Sequence, residues 1–539
     1  MTAHAGMFIE LAISVPVFRV FIHLASPAQS YILAAGNEHA MGTTCVGGKM
    51  TDPTRNEEVP ETGHDDEVQS EFEMTPDLMR DLGHRTVELL VKRLQGLPEE
   101  SAWDGDFRKS LEAVLLEEPP EEGSAPDEVI ERVAQEVLPY AIRLDHPRCF
   151  SFVPSAPTWP GILADFIASG YNFNVCTWLV ASGPSQLELV VIDWFRRWVG
   201  YPDGAGGLLT SGGSAAALNA FVAAREAAGN PERPTVYMSD QSHSAQIRSA
   251  RIVGVRPECI RTVPIDGTLR LDMDALARAV ADDRAAGFCP MVVCANAGAT
   301  GNGAIDPLVE MADFCESEGI WLHTDASYGG FAMLTAEGRK LLEGIERSDS
   351  IALDGHKWLF QPYEVGGLLV KDLRTLENTF SVQHDALQDT IWGENHPNFS
   401  DRGLQLSRGF RALKIWMSIQ TFGVAAFRRA VSRSMELAAR AGEQVRESSI
   451  LELLAPVSLG IVCFRINPAD TPIDEEDLHE VNRTVLARML WEDRAMMSST
   501  VVENRFSLRL CIINHNTTWN DVSETLRFIE QTGREQLAR

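Results

Sequence analysis

The spacing of apolar and polar residues changes several times along the chain. From Thr75 onward, the segment TPDLMRDLGHRTVELLVKRLQGL has helical spacing behind a Thr-Pro start. Between about residues 200 and 370, short β-rich runs alternate with amphipathic helices. These runs are GLLT (207–210), TVYMS (235–239), MVVCANAG (291–298), IWLHTD (320–325) and GGLLVK (366–371). The alternation is typical of βαβ units and predicts a mostly parallel, buried sheet.

Beyond residue 400 the pattern predicts a different arrangement. Residues 405–445 indicate one or two long helices, SLGIVCFRI and RFSLRLCII indicate strands, and a capping box from Thr518 to Asp521 opens the last helix. We therefore expect an α/β protein in four segments. Residues 1–73 form an unstructured or mis-called extension, 74–158 a helical segment, 159–415 a large domain and 416–539 a smaller α/β C-terminal domain.

Composition narrows the classes of function. The chain has 539 residues and a formal net charge of -29, from 76 acidic and 47 basic residues. This balance argues against nucleic acid or an anionic membrane as partner and favours a small molecule. Nine cysteines without a CxxC pair or zinc-like spacing indicate reduced thiols in a cytoplasmic protein.

A first candidate for chemistry is the glycine turn of GLLTSGGS. Gly212, Gly213 and Ser214 stand between a strand and a helix, where free backbone N–H groups and a hydroxyl can bind an anion. We call these three residues the phosphate cradle. The alternative is a tight turn whose glycines serve geometry only.

Two charged residues follow other apolar strands. Asp325 ends IWLHTD, at the edge where open α/β sheets bind ligands. It could also cap a helix or bind a metal, but no second ligand stands at metal-binding spacing, so no metal is expected. Lys357 precedes a Trp-Leu-Phe run, and apolar surroundings predict a lowered pKa and a nucleophilic amine. A surface lysine with a buried stem is the alternative.

Together these features predict pyridoxal 5'-phosphate (PLP) as cofactor. Its phosphate needs an anion site, its aldehyde needs a lysine, and its ring nitrogen needs a carboxylate that keeps it protonated. The phosphate cradle, Lys357 and Asp325 meet all three requirements.

Four motifs carry a resemblance to a known family. They are the HPRxF-type segment from His146 to Phe150, SDQxHS from Ser239 to Ser244, DAxYGG from Asp325, and HKW around Lys357. From about Phe72 to the C-terminus the chain resembles the group II PLP-dependent amino acid decarboxylases. The resemblance implies a type I, aspartate aminotransferase-like fold and decarboxylation of an L-amino acid to its amine and carbon dioxide.

The resemblance also implies roles for individual residues. Lys357 corresponds to the Schiff-base lysine, Asp325 to the partner of the ring nitrogen, and His243 to the catalytic histidine that stacks on the ring. Further cofactor contacts are implied for Gly213, Ser214, Thr300, His356 and Ser407, and Ser350 lies in the strand that leads to the lysine. For His243 a core position, and for Thr300 a turn position, are the structural alternatives.

Family members are homodimers with shared active sites. The matching segments are Phe152–Ser155, Asn174–Trp178, and Ser407 with Arg408. The implied substrate pocket comprises Phe152, Pro154, Ser155, Asn174 and Cys176. A dimer core without substrate contact is the alternative for each of these residues.

The chain departs from the family at several positions. Ala386 stands where a mobile loop carries a proton-donating tyrosine, and alanine cannot donate a proton. His384 or Asp385 could substitute; otherwise decarboxylation-dependent oxidative deamination to an aldehyde is the alternative. Asp354-Gly355 stands where many family members have Asn-Pro. Asn174 and Cys176 stand where relatives specific for aromatic substrates tend to have larger apolar residues, which weakens the case for an aromatic substrate. A catalytically silent partner protein is disfavoured because Lys357, Asp325 and His243 are all present.

Overall fold

The computed structural model describes residues 72–382, 396–470 and 472–538. Thr75 caps the first helix, because its Oγ accepts a hydrogen bond from the Leu78 N–H at 3.3 Å. The N-terminal elements are α1 (Pro76–Gly96), β1 (Trp103–Asp104), α2 (Arg108–Leu115), α3 (Pro126–Glu136) and β2 (Ala141–Ile142). None of the three helices contains a buried residue, so their apolar sides remain exposed in the single chain.

The central part of the chain alternates helices with the strands of one seven-stranded sheet. Its strands are β3 (Gly206–Thr210), β4 (Pro234–Ser239), β5 (Ile260–Val263), β6 (Cys289–Asn296), β7 (Trp321–Asp325), β8 (Ser350–Asp354) and β9 (Gly366–Val370). Its helices are α4 (Trp159–Tyr171), α5 (Ser182–Val199), α6 (Gly213–Ala227), α7 (Ser244–Ile252), α8 (Met273–Ala285), α9 (Leu308–Glu318), α10 (Ala336–Leu341) and α11 (Arg374–Phe380). All five predicted β-rich runs are strands, and each strand begins and ends within two residues of the predicted position.

The strand order is β3-β9-β8-β7-β6-β4-β5. Strands β8, β7, β6, β4 and β5 are parallel, whereas β9 is antiparallel to both of its neighbours. The predicted mostly parallel sheet is therefore confirmed. Since β3 runs in the same direction as β8, the carboxyl ends of β3, β7 and β8 lie on one edge of the sheet.

Both faces of this sheet are buried. Leu208 and Leu368 point to one face, where they pack with alanines of α6, while the next residues, Leu209 and Leu369, point to the other face and pack with Phe195 of α5. Alternate side chains of a strand point to opposite faces, so strands covered on both sides need continuous apolar runs. This requirement explains GLLT and GGLLV.

The C-terminal part combines a long helix with a second sheet. Helix α12 (Ala412–Glu447) has a kink at Gly423, whose φ is 71°. Strands β10 (Leu451–Leu453), β11 (Ile461–Ile466), β12 (Ser498–Val502) and β13 (Arg505–Cys511) form an antiparallel sheet that accompanies α13 (Glu475–Trp491) and α14 (Trp519–Leu537). The predicted capping box at Thr518 and Asp521 is present.

Met74–Arg539 form one compact unit. The predicted boundary between residues 415 and 416 falls inside α12, and the four-segment division stays a prediction. The eight cysteines within the described ranges are free. Among the described helices, none is both long enough and apolar enough to cross a membrane.

Candidate active site

Three strand ends bring the predicted groups together. The phosphate cradle follows β3, Asp325 is the last residue of β7, and Asp354 is the last residue of β8. Lys357 stands three residues beyond Asp354. Because these strands run in the same direction, groups that are distant in sequence meet at one edge of the sheet.

The phosphate cradle requires glycine for close approach. A Cβ atom added to Gly213 would collide with the Ser327 hydroxyl, and one added to Gly366 would lie 2.6 Å from the Cα of Gly212. The N-cap residue of α6, Gly212, has no side chain to cap the helix. The backbone N–H groups at the start of α6 therefore suit an anion such as a phosphate.

Asp354 lies between the phosphate cradle and the lysine. Its Oδ1 accepts a hydrogen bond from the Gly213 N–H at 2.6 Å, and its Oδ2 lies 2.9 Å from Lys357 Nζ. His356 Nε2 is 3.5 Å from the same Oδ2. This single carboxylate therefore links the helix start to the amine.

The Lys357 amine corrects one prediction. Burial lowers its pKa, but the nearby carboxylates of Asp354 and Asp325 outweigh burial, so the pKa is raised above the ordinary lysine value. The predicted lowered pKa is wrong for this structure. Asp354 stands only three residues before the lysine in sequence, but the chain must fold before its Oδ2 and the Asp325 carboxylate reach the amine.

Asp325 is largely buried and fits a protonated ring nitrogen. Its Oδ2 accepts a hydrogen bond from Gln246 Nε2 at 2.9 Å, and its Oδ1 accepts one from the Ser327 N–H at 3.1 Å. Burial raises the pKa of this carboxyl, but the Lys357 charge and the hydrogen bonds outweigh it, so the pKa is lowered overall. Asp325 is therefore ionised at neutral pH.

Gln246 was not among the predicted site residues. It lies on α7, three residues after His243, and the residue is 1% exposed. A polar residue on the buried side of that short helix is the signal that could have identified it.

The remaining predicted cofactor contacts have varied surroundings. His243 caps α7, with Nδ1 accepting a hydrogen bond from the Ala245 N–H at 3.2 Å, and Ser214 is exposed in the first turn of α6.

The Thr300 carbonyl accepts a hydrogen bond from Arg509 Nη2 at 2.7 Å. His356 Nδ1 accepts the Val365 N–H at 3.3 Å. Ser350 lies away from this edge, at the opposite end of β8 from Asp354, where its Oγ bonds to Trp321 Nε1 and His323 Nδ1.

Part of the predicted substrate pocket lies next to the lysine in its own chain. Ser155 Oγ donates to the Lys357 carbonyl at 2.8 Å, and Pro154 is buried beside it. Phe152 is 58% exposed, and its carbonyl accepts a hydrogen bond from Arg509 Nη1 at 2.6 Å.

Asn174, another predicted pocket residue, contacts a buried ion pair. Arg408 Nη2 contacts Glu188 Oε1 at 2.5 Å, and the Arg408 N–H donates to Asn174 Oδ1 at 3.0 Å. Cys176 is half-buried and Ser407 is exposed. Among the described residues, Asn174, Cys176 and Ser407 make no hydrogen bond to Lys357, Asp325 or Asp354.

Two further predictions concern the loop and metals. Ala386, His384 and Asp385 lie outside the described residues, so their predicted roles stay predictions. In the described ranges, no group of three or more His, Cys, Asp and Glu side chains is arranged to hold a metal ion.

Comparison with known proteins identifies the family of the chain. Residues 109–467 match the model of the pyridoxal-dependent decarboxylase conserved domain. Aromatic-L-amino-acid decarboxylase of Bacillus atrophaeus is 37% identical over 470 residues, which cover 86% of this chain and 97% of that protein. Phenylacetaldehyde synthase of Petunia hybrida is 28% identical, with 81% and 91% covered.

Solved structures extend the likeness to the fold. The crystal structure of Oryza sativa TDC with PLP and tryptamine superimposes with a TM-score of 0.82 at 28% identity, over 86% of this chain and 99% of that one. The fold is thus that of type I PLP-dependent enzymes, as expected. The chain belongs to the pyridoxal-dependent decarboxylase family and is a PLP-dependent carboxy-lyase that acts on an amino acid.

Proposed function

We propose that this enzyme converts an aromatic L-amino acid to its amine and carbon dioxide at the site around Lys357. The observation that carries the site assignment is the meeting of the Lys357 amine, the Asp325 carboxylate and the Gly213 N–H at one sheet edge. The aromatic substrate rests on the similarity to the Bacillus atrophaeus aromatic-L-amino-acid decarboxylase.

Each group has a proposed task. Bound PLP supplies an electron sink for the negative charge that develops at the α-carbon as carbon dioxide leaves. Asp325 stays ionised and retains a proton on the ring nitrogen, and Ser327 and Gln246 hold the carboxylate in place. Lys357 provides the amine that carries the cofactor.

We assign the other predicted residues to binding and orientation. Gly213 and Ser214 would hold the phosphate through the start of α6, with His356 beside them, and His243 would cover one face of the ring. Thr300 and Ser407 are proposed as further cofactor contacts. The proposed substrate pocket comprises Phe152, Pro154, Ser155, Asn174 and Cys176.

We also propose a cytoplasmic homodimer that shares its active sites. Helices α1, α2 and α3 carry exposed apolar side chains and bury none of their residues within the chain. Examples are Met79, Val114 and Val129, which are 48% to 54% exposed. Apolar helix faces of this kind are typical of a surface that a second subunit covers.

A second candidate product is an aldehyde. Ala386 replaces the expected loop tyrosine, and phenylacetaldehyde synthase is among the similar proteins. Without a proton donor for the α-carbon, reaction with oxygen and water would yield aldehyde, ammonia and hydrogen peroxide in place of the amine.

One assay separates the two products. Purified protein with PLP is given a panel of aromatic, acidic and aliphatic amino acids, and carbon dioxide, amine and peroxide are measured together. Amine equal to carbon dioxide supports the proposal, whereas peroxide equal to carbon dioxide supports the aldehyde. Turnover confined to acidic or aliphatic substrates would contradict the aromatic assignment.

The cofactor role of Lys357 has its own test. Protein with PLP should absorb visible light, and borohydride should abolish this absorbance and the activity. Lys357→Ala should bind no PLP covalently, whereas Lys371→Ala, at an exposed lysine just after β9, should behave as wild type. Covalent labelling that persists in Lys357→Ala would contradict the assignment.

A further inference from the structure

Asp354 forms contacts that a bound phosphate would also need. Its side chain is buried, with 4% of the residue exposed, and it reaches the Gly213 N–H from a strand that is 141 residues away in sequence. The second carboxylate oxygen lies 2.9 Å from Lys357 Nζ. The Asp354 carboxylate thus contacts both the Gly213 N–H at the helix start and the Lys357 amine.

The helix start explains why an acid is stable there. The first N–H groups of a helix have no partner within the helix, and the aligned peptide dipoles favour a negative charge. Gly212 cannot supply that charge, because it has no side chain. The Asp354 carboxylate caps α6 in its place.

A phosphate would compete with this carboxylate for two reasons. One N–H donates one strong hydrogen bond, so Asp354 and a phosphate cannot both accept it from Gly213 at full strength. Two anions a few ångströms apart in a largely dry site also repel each other.

The surrounding charges do not remove the conflict. Lys357 is the one cation in contact with Asp354 among the described residues, and His356 has its pKa lowered by burial, so its ring is neutral at neutral pH. The Tyr363 ring, which packs on His356 with centroids 4.5 Å apart, has a raised pKa because of burial and is also neutral.

We propose that Asp354 is a displaceable internal anion, which holds the start of α6 and the Lys357 ammonium until the cofactor phosphate takes the Gly213 N–H. This inference rests on the proposed cofactor roles of Lys357 and the phosphate cradle. Asp354 thus sets the affinity for the cofactor, because its negative charge weakens PLP binding.

The test uses full-length protein freed of cofactor and compares PLP with pyridoxal, which has the aldehyde but no phosphate. Asp354→Asn keeps the size of the side chain and removes its charge. We expect the ratio of the pyridoxal dissociation constant to the PLP dissociation constant, each read from visible absorbance, to rise about tenfold. Asp372→Asn, at an exposed acid paired with Arg374, is the matched control and should leave this ratio unchanged.

The ratio separates two mechanisms. If Asp354 acted only through the Lys357 amine, the substitution would change the affinities for PLP and pyridoxal by the same factor, and the proposal would be wrong. Asp354→Ser, which also removes the charge, serves if the asparagine variant does not fold.

Inorganic phosphate gives a second measurement that involves no aldehyde. It should raise the melting temperature of cofactor-free Asp354→Asn at lower concentrations than it needs for the wild type. Equal phosphate dependence in both proteins would overturn the inference. Failure of the wild type to bind PLP at all would instead overturn the cofactor assignment beneath it.

Discussion

Gln246 Nε2 donates a hydrogen bond to Asp325 Oδ2 across 2.9 Å. The amide is buried, and its own Oε1 has no hydrogen-bond partner among the described residues. The contact therefore orients the Asp325 carboxylate but leaves Gln246 Oε1 without a hydrogen bond. Such an arrangement is more easily explained by a positioning role for Gln246 than by a contribution to folding.

Gln246→Leu should separate activity from stability. Loss of a donor to the carboxylate raises the pKa of Asp325 and loosens its orientation, so we expect kcat to fall about tenfold with a smaller change in KM. The melting temperature should change little, because removal of the unpaired Oε1 offsets the hydrogen bond lost by Asp325. Steady-state kinetics, the visible spectrum of bound PLP and thermal unfolding measure these effects.

Two comparisons control this experiment. Gln531→Leu changes a glutamine on the exposed side of α14 and should leave kcat and the spectrum as they are. Gln246→Glu should lower kcat further than leucine does, because it brings a second carboxylate to Asp325. An unchanged spectrum and kcat in Gln246→Leu would show that Gln246 has no positioning role.

Gly213→Ala should weaken PLP binding about tenfold or more. The new methyl group would collide with the Ser327 hydroxyl, which either closes the phosphate cradle or displaces Ser327 from Asp325. The dissociation constant of PLP, measured by absorbance, is the direct readout. Ser327→Gly in the same chain should restore part of the affinity, because it removes the obstructing side chain.

Gly183→Ala is the matched control for this substitution. A Cβ atom at Gly183 in α5 would meet no atom within 4 Å. This variant should bind PLP as the wild type does. If Gly213→Ala also bound PLP normally, the phosphate cradle would have been assigned to the wrong residues.

Removal of one partner of the buried ion pair should destabilise the protein strongly. Glu188→Gln leaves the Arg408 guanidinium without a counter-charge in the interior, where Glu188 is fully buried. We expect the free energy of unfolding to fall by about 3 kcal/mol. Denaturant unfolding would measure the change, with Glu480→Gln in the exposed Arg483 pair as a control that should show little effect.

The same pair connects distant parts of the site. Arg408 also donates to the carbonyl of Leu209 at 2.8 Å, next to the phosphate cradle, and to that of Val175 at 3.0 Å. Arg408→Lys should therefore be less stable than the wild type, because a lysine ammonium cannot donate to several acceptors in one plane. Full stability in Arg408→Lys would show that charge alone matters at this position.

Asp306 should make stability depend on pH between about 4 and 6. Burial raises its pKa to about 6, although the backbone N–H groups of Leu271 and Asn296 donate to it. The ordinary value in an unfolded chain is about 4. In this interval the native state binds a proton that the unfolded state releases, so the contribution of Asp306 to stability falls as pH rises.

The measurement compares the wild type with Asp306→Asn, which cannot ionise. Between pH 4 and pH 7, the unfolding free energy of the wild type should fall by up to about 3 kcal/mol relative to that of Asp306→Asn. Asp282→Asn, at an exposed acid of α8, should show no such trend. A constant difference for Asp306→Asn would mean that the buried carboxyl keeps its ordinary pKa.

Local sequence patterns were sufficient to predict the strands and the cofactor. A strand buried on both faces needs an unbroken apolar run, and a helix start needs a cap, so GLLT, IWLHTD and the Thr518–Asp521 box could be recognised directly. The carboxyl ends of parallel strands share one edge, which is why the sequence already indicated a ligand-binding position for Asp325.

Tertiary structure decided the electrostatics of the site. The raised pKa of Lys357 depends on Asp354, three residues earlier in the chain, and on Asp325, which meets the amine only because β7 and β8 lie side by side. Gln246 reaches Asp325 from 79 residues away, and Arg408 reaches Glu188 from 220 residues away. Periodicity reports which face of an element is buried, whereas the partner of a buried charge depends on how separate elements pack, so only the folded chain determines it.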